Sequence, residues 1–259
     1  MNGKVIVITG ASAGIGAALA EVVHERKGTP VLVARREQEL AAVAAKAGNA
    51  TAIVADVTRR SEVRRALETA LGKHGHVDVW VNNVGRGISR NPSELTDEDI
   101  DQMMTVNVKS ALYGMQEVLP HFKARSSGQI INVSSMLGRV PFAVGRSAYS
   151  AAKHFLNALT ANLRMELHAT HPAIMVTLVS PGVVATEFGV NALHGGPDSR
   201  KIPNSQTPRE VAEVIASAIE TPRADVYTRS TFQQQVVAYY SAHDMGAFEA
   251  QLGGAPRTP

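Results

Sequence analysis

The chain has 259 residues, 44% of them hydrophobic and 19% charged, with a net charge of +3. That length supports one α/β domain around one sizeable core, and no apolar run approaches the roughly 20 residues a membrane helix needs. The basic doublets are interleaved with acids, which argues against a nucleic-acid surface, and the absence of cysteine excludes disulfides, thiolate catalysis and cysteine-held metal clusters.

The first apolar run, Lys4–Ile8, is too short for a signal-peptide core and enters a glycine turn directly, which predicts a buried strand and a cytoplasmic chain. Similar β-branched runs follow at Pro30–Ala34, Thr51–Ala55, Val77–Val81, Gln129–Val133 and Ala173–Val179. Helical patterns fall at Gly14–Arg26, Arg36–Ala47, Ser61–Lys73, Asp97–Phe122, Ser147–His168 and Pro208–Glu220. The strand runs lack period-2 alternation, as strands covered on both faces do. Such alternation of strands and helices predicts an α/β fold: a single-domain, Rossmann-like, doubly wound parallel sheet of about seven strands with helices on both faces. The domain should span residues 1–252, with 253–259 a Gly/Pro-rich disordered tail. Thr186–Thr207 has five Gly or Pro residues and little periodicity, so it reads as a long loop and is expected to be a substrate lid. Trp80 and the Met103-Met104 pair read as core, and the nine histidines show no metal-ligand spacing.

Several motifs carry chemistry. Gly10-Ala11-Ser12-Ala13-Gly14-Ile15-Gly16 joins the first strand to the first helix, where glycines permit a tight turn and bring bare N–H groups to a pyrophosphate. An acid at the end of the second strand would bind the ribose hydroxyls of NAD; here the strand ends in Arg35-Arg36, and Arg35 is placed to clamp the 2′-phosphate of NADP. NADP(H) is therefore expected, with NAD(H) as the alternative. Tyr149 and Lys153 stand at i and i+4, one turn apart on one helical face. A free phenol titrates at about 10, and a neighbouring ammonium favours the phenolate that general acid–base work requires.

Taken together, the glycine spacing, Asn82-Asn83-Val84-Gly85, Asn107, Ser134-Ser135, Tyr149-Ser150-Ala151-Ala152-Lys153 and Pro181-Gly182-Val183-Val184-Ala185-Thr186 resemble the short-chain dehydrogenase/reductase family over about residues 1–190. The resemblance implies reversible hydride transfer between a nicotinamide cofactor and a carbonyl or secondary alcohol. It implies Tyr149 as general acid/base, Lys153 as its partner and a holder of the nicotinamide ribose, Ser135 on the substrate oxygen, and Asn107 binding a relay water. It also implies Asp56 and Val57 at the adenine, Asn83 and Gly85 at a ribose, and Pro181, Gly182, Val183 and Thr186 at the nicotinamide carboxamide. A homodimer or homotetramer formed through the helices at Asp97–Phe122 and Ser147–His168 is implied as well. A non-catalytic dinucleotide sensor or a scaffold is the alternative function, though neither needs the full Ser–Tyr–Lys–Asn set.

Three departures stand out. Position 13 is Ala where NADP-using relatives carry a base; Ser135 and Tyr149 are 14 apart, one more than the family's usual interval; and Asp225-Val226-Tyr227-Thr228 leads into a polar helical stretch, Phe232–Ala242, rather than a glycine pair. The expected pocket walls, Arg86-Gly87-Ile88, Phe142-Ala143-Val144 and the lid, are largely apolar and suit a hydrophobic or mid-sized small-molecule carbonyl compound, while Arg86 and Arg146 leave an anionic substrate open.

Overall fold

The computed structural model describes residues 1–253. Seven strands alternate with helices: β1 (Val5–Thr9), α1 (Gly14–Glu25), β2 (Thr29–Ala34), α2 (Glu37–Lys46), β3 (Thr51–Val54), α3 (Arg60–His74) and β4 (Val79–Asn82) form the first half. The second half comprises α4 (Asp97–Met104), α5 (Ser110–Arg125), β5 (Gly128–Val133), α6 (Ser147–Thr170), β6 (Ile174–Ser180), α7 (Pro208–Glu220), β7 (Asp225–Tyr227), α8 (Ser230–Tyr240) and α9 (Met245–Gly253). All strand pairs are parallel, in the order β3-β2-β1-β4-β5-β6-β7. Chain direction across the sheet reverses between β1 and β4, which opens a crevice at the carboxyl ends of these strands.

Alternate residues of β1 explain the two-sided core. Ile6 and Ile8 face α1, α2 and α7, where Leu19, Leu40, Val211 and Ile215 cover them. Val5 and Val7 face α3, α5 and α6, where Val63, Met115, Phe122 and Leu167 do the same. The edge strands depart most from full burial: β3 alternates buried and exposed residues because one face lacks a full helical cover, and β7 buries only Val226.

The sequence places element centres well and some boundaries badly. The single helix expected over Asp97–Phe122 is instead α4, a π-turn at Thr105–Lys109, and α5 running on to Arg125. Trp80 and Met103 are buried as expected. The expected disordered tail began at 253, but Gly253 closes α9, and 254–259 lie outside the described residues. The polar stretch near Phe232 is α8, and β7 completes the sheet beside β6.

One close approach fixes α5 against the sheet. Trp80 Nε1 donates to Asn82 Oδ1 at 2.8 Å, Asn82 Nδ2 donates to Asn132 Oδ1 at 2.8 Å, and Asn132 Nδ2 donates to Thr160 Oγ1 at 2.9 Å. Gly114 lies directly over this chain, and a Cβ there would collide with Asn82 Oδ1 and Trp80 Nε1. Gly114→Ala is expected to cost about 3 kcal/mol by overpacking a buried polar network. The urea midpoint should fall accordingly, and an unchanged midpoint would contradict the contact.

Candidate active site

The glycine turn after β1 is built for an anion. Gly10 and Gly14 have φ of 67° and 57°, a region that side chains disfavour, and a Cβ at Gly16 would collide with the Gly10 carbonyl oxygen. Helix α1 starts at Gly14 with Ala13 as an extended N-cap, and no side chain among the described residues caps its free N–H groups. Ser12 Oγ accepts from Arg36 Nε and Nη2 at 3.2 and 3.1 Å. Arg35 turns the other way, its guanidinium 4.0 Å from Asp56 Oδ2. The expectation favoured Arg35 as the phosphate clamp; in the structure Arg36 meets the glycine turn and Arg35 faces Asp56. Neighbouring residues of extended backbone point to opposite sides, which the sequence does not resolve.

Two side chains expected at the cofactor are engaged elsewhere. Asn83 Nδ2 donates to Thr9 O at 3.1 Å and Gly10 O at 3.4 Å, so this amide ties β4 to the glycine turn. Asp56 Oδ1 accepts from Thr58 N at 3.0 Å and Thr58 Oγ1 at 2.7 Å, closing the turn before α3, and Val57 is buried beneath it. Across the crevice, Thr186 Cγ2 lies 3.2 Å from where a Gly14 Cβ would stand, so the Pro181–Thr186 turn faces the glycine turn. Pro181 O accepts from Met136 N at 2.7 Å, which joins this turn to the serine turn after β5. Gly182 is covered by Phe232 of α8, whose Cζ lies 2.5 Å from a would-be Cβ, and Val183 is about half exposed. No local pattern marks Phe232 for this place.

The two serines after β5 separate cleanly. Ser134 Oγ donates to Asn157 Oδ1 at 2.5 Å, and Asn157 Nδ2 donates to Gly138 O at 2.6 Å, so Ser134 holds α6 to the turn. Ser135 Oγ accepts from Leu137 N at 3.1 Å, and its hydroxyl is near enough to the Tyr149 phenol to pull that group's titration down. The extra residue between them is absorbed in a loop fastened by Arg90 N to Gly145 O and Arg146 N to Ala143 O, leaving Tyr149 opposite Ser135.

Tyr149 and Lys153 are almost fully buried, and the Lys153 ammonium is 5.8 Å from the Tyr149 ring centroid. Burial pushes the phenol up to about 12, against the pull of the Ser135 hydroxyl and the Arg146 charge. Burial pushes the ammonium down to about 8. Lys153 Nζ donates to Val133 O at 3.0 Å, its only acceptor among the described residues, so donors of a buried cation are left over. Gly85 stands between Lys153 and Asn107: a Cβ there would be 3.5 Å from Nζ and 3.1 Å from Asn107 Oδ1. The Asn107 side chain is engaged with backbone, accepting from Arg86 N at 3.0 Å and donating to Arg86 O at 3.0 Å and Met103 O at 3.1 Å. That last bond satisfies a carbonyl at the π-turn, where the regular helical ladder is interrupted.

The segment 186–207 is fastened to the rest. Residue pairs Ile88–Leu193 and Val184–Gln206 form parallel bridges, and His194 Nε2 lies 2.7 Å from Asp99 Oδ1. Phe188 from this segment meets the Tyr149 ring edge-on at 5.4 Å between centroids. It is the only Phe, Tyr or Trp in the segment, which is the signal that could have singled it out.

The model of the family described as short chain dehydrogenase matches residues 4–195. This chain belongs to the short-chain dehydrogenase family. Among curated relatives of this oxidoreductase family, an uncharacterized oxidoreductase of Staphylococcus saprophyticus is 38% identical over 187 residues, covering 71% of this chain and 76% of the relative. A short-chain dehydrogenase/reductase of Burkholderia phymatum, solved in complex with NAD, superposes with a TM-score of 0.85 at 22% identity over 100% of this chain and 98% of its own. An alcohol dehydrogenase of Thermococcus sibiricus, complexed with 5-hydroxy-NADP, gives a TM-score of 0.76 at 26% identity, covering 89% of this chain and 97% of its own. Among the described residues, no helix of this short-chain dehydrogenase is long and apolar enough to cross a membrane.

Proposed function

We propose that the protein catalyses reversible hydride transfer between NADP(H) and a carbonyl or secondary-alcohol substrate, with Tyr149 as general acid/base. The observation that carries this reading is the buried phenol of Tyr149 against the Ser135 hydroxyl, with the Lys153 ammonium 5.8 Å from its ring. A sensor or scaffold has no use for a buried ammonium with idle donors beside a buried phenol, both unfavourable to keep. When bound, NADP(H) supplies or accepts the hydride. The uncapped start of α1 and the bare Gly10, Gly14 and Gly16 suit its pyrophosphate. Lys153 would hold ribose hydroxyls with its remaining donors, and Thr186 would close the opposite wall. Ser135 would donate to the substrate oxygen, stabilising the charge that develops there, while Tyr149 gives or takes the proton on the same atom.

Ser12, Arg35 and Arg36 together favour the 2′-phosphate, with Arg36 the nearer clamp; the Thermococcus sibiricus relative complexed with 5-hydroxy-NADP lends this some support, and the NAD complex of the Burkholderia phymatum protein does not. The test is cofactor absorbance followed with a panel of aldehydes, ketones and sugars. NADPH should be consumed with at least one, and with no member oxidising NADPH or NADH the reading falls. In the Arg35→Asp/Arg36→Ser double variant, kcat/KM for NADPH should drop by about 10²-fold as two charge-assisted contacts are lost, with NADH little affected. Equal use of both cofactors by the unaltered protein would sink the 2′-phosphate assignment.

Phe188 over Tyr149 supports the segment 186–207 as a substrate lid on a single domain. Half-exposed Phe155 and Met165 on α6 support assembly through that helix as a homodimer or homotetramer. A cytoplasmic location is part of the same proposal.

A further inference from the structure

Three acids near the site are each matched by a base. Asp99 is held by Arg90 and His194, and Glu187 and Asp198 by Arg200. Among the described residues, two arginines there have no acid. The Arg86 side chain is exposed, and among the described residues its guanidinium donates only to Asn191 O, at 3.2 Å. Arg146 is partly buried, and its guanidinium donates only to Ile88 O, at 3.1 Å through Nη1.

The surroundings of Arg146 look like a seat for its head group. A Cβ on Gly87 would stand 2.9 Å from Arg146 Nη1 and 3.0 Å from Phe188 Cε1, so guanidinium and lid phenyl share the space above that glycine. A Cβ on Gly196 would stand 3.0 Å from Arg146 Nη2 and 2.8 Å from Ser89 Oγ. Side chains at either position would crowd the head group. Ser89 Oγ makes no hydrogen bond among the described residues. A partly buried cation without a counter-ion is unfavourable by itself, and one beside an idle hydroxyl, under a lid, next to the reacting phenol, is matched by an anion that arrives with the substrate.

We infer that the substrate is an oxo acid or hydroxy acid whose carboxylate binds Arg146, assisted by Ser89, while its carbonyl or hydroxyl carbon meets Tyr149. This rests on the oxidoreductase reading above. Planar guanidinium and carboxylate suit each other in two-point contact, and the apolar Phe188, Ile88 and Leu193 leave the rest of the substrate free of further charge recognition.

The test uses three acids, pyruvate, acetoacetate and levulinate, each against its methyl ester, with the full chain and its preferred cofactor. At least one acid should be reduced in preference to its ester. In Arg146→Gln the acid-to-ester ratio of kcat/KM for that pair should fall by about 30- to 100-fold, the loss of one charge-assisted two-point contact, and Arg146→Lys should recover most of it. Circular dichroism of both variants checks the fold. If every ester is preferred, or if Arg146→Gln slows acid and ester equally while displacing the pH profile, the arginine serves the Tyr149 phenolate and the inference is overturned with the oxidoreductase reading intact. If a neutral ketone such as cyclohexanone is reduced and no acid is, the inference again falls. If nothing in the panel is reduced, the reading beneath it falls first.

Discussion

Tyr149→Phe should lower kcat by about 10³-fold while leaving the fold and its thermal midpoint nearly unchanged, since proton transfer by a positioned side chain is worth 10² to 10⁴ in rate. The ring keeps its edge-on contact with Phe188, and only the hydroxyl facing Ser135 is removed. The pH dependence gives a second check. Burial holds the phenol at about 12, so across neutral pH it is protonated and ready to donate to a carbonyl, and alcohol oxidation needs the scarce phenolate. Oxidation by the unaltered protein should therefore quicken as pH rises, and reduction should slow once the phenol begins to ionise. Both slopes should vanish in the variant. A loss of less than about tenfold, or slopes that survive the substitution, would remove Tyr149 from the acid–base role.

Lys153→Met should cost activity and gain stability. Burial moves the ammonium from 10.5 down to about 8, so the folded chain at neutral pH carries a charge that it disfavours by about 3 kcal/mol relative to the unfolded chain. Methionine fills similar volume without the charge. After allowing for the lost contact with the Val133 carbonyl, the gain should be about 2 kcal/mol, or some 4–8 °C in Tm for a chain of this size. The sign with pH follows from the depressed value. Below about 8 the penalty is fully present; as pH climbs from there toward 10.5 the folded lysine is neutral while the unfolded one still binds its proton, and the advantage of methionine shrinks. Meanwhile kcat/KM should fall by about 10²- to 10³-fold. A variant less stable than its parent at neutral pH would show that Lys153 serves the fold rather than a bound partner.

The sheet was legible because parallel strands buried on both faces read as unbroken apolar runs, and because caps mark helix starts, as Thr207 with Glu210 does for α7. Ser135, Tyr149 and Lys153 were legible as neighbours because strand ends converge on one crevice and helical spacing puts Tyr149 and Lys153 on one face. What escaped depends on direction rather than on position. Arg35 was favoured at the phosphate, yet the end of β2 turns Arg36 toward Ser12 and Arg35 toward Asp56. Asn83 looked free for a ligand, yet an amide beside two carbonyls of a tight turn finds them first. Phe232 covers Gly182 from 50 positions away, a pairing that local pattern does not encode.

The π-turn between α4 and α5 has a consequence for how this chain can vary. An α-helix advances about 100° per residue, so one residue inserted or removed within Thr105–Lys109 would rotate all of α5 by that amount about its axis. Gly114 would leave its place over Trp80 and Asn82, and Asn107 would lose its grip on Arg86 beside Gly85 and Lys153. The phase of α5 on the sheet and the placement of Asn107 beside Lys153 are thus set by the same single residue. Point substitutions can reach this stretch one at a time, but a change in its length alters the seating of the helix and the floor of the crevice in one stroke.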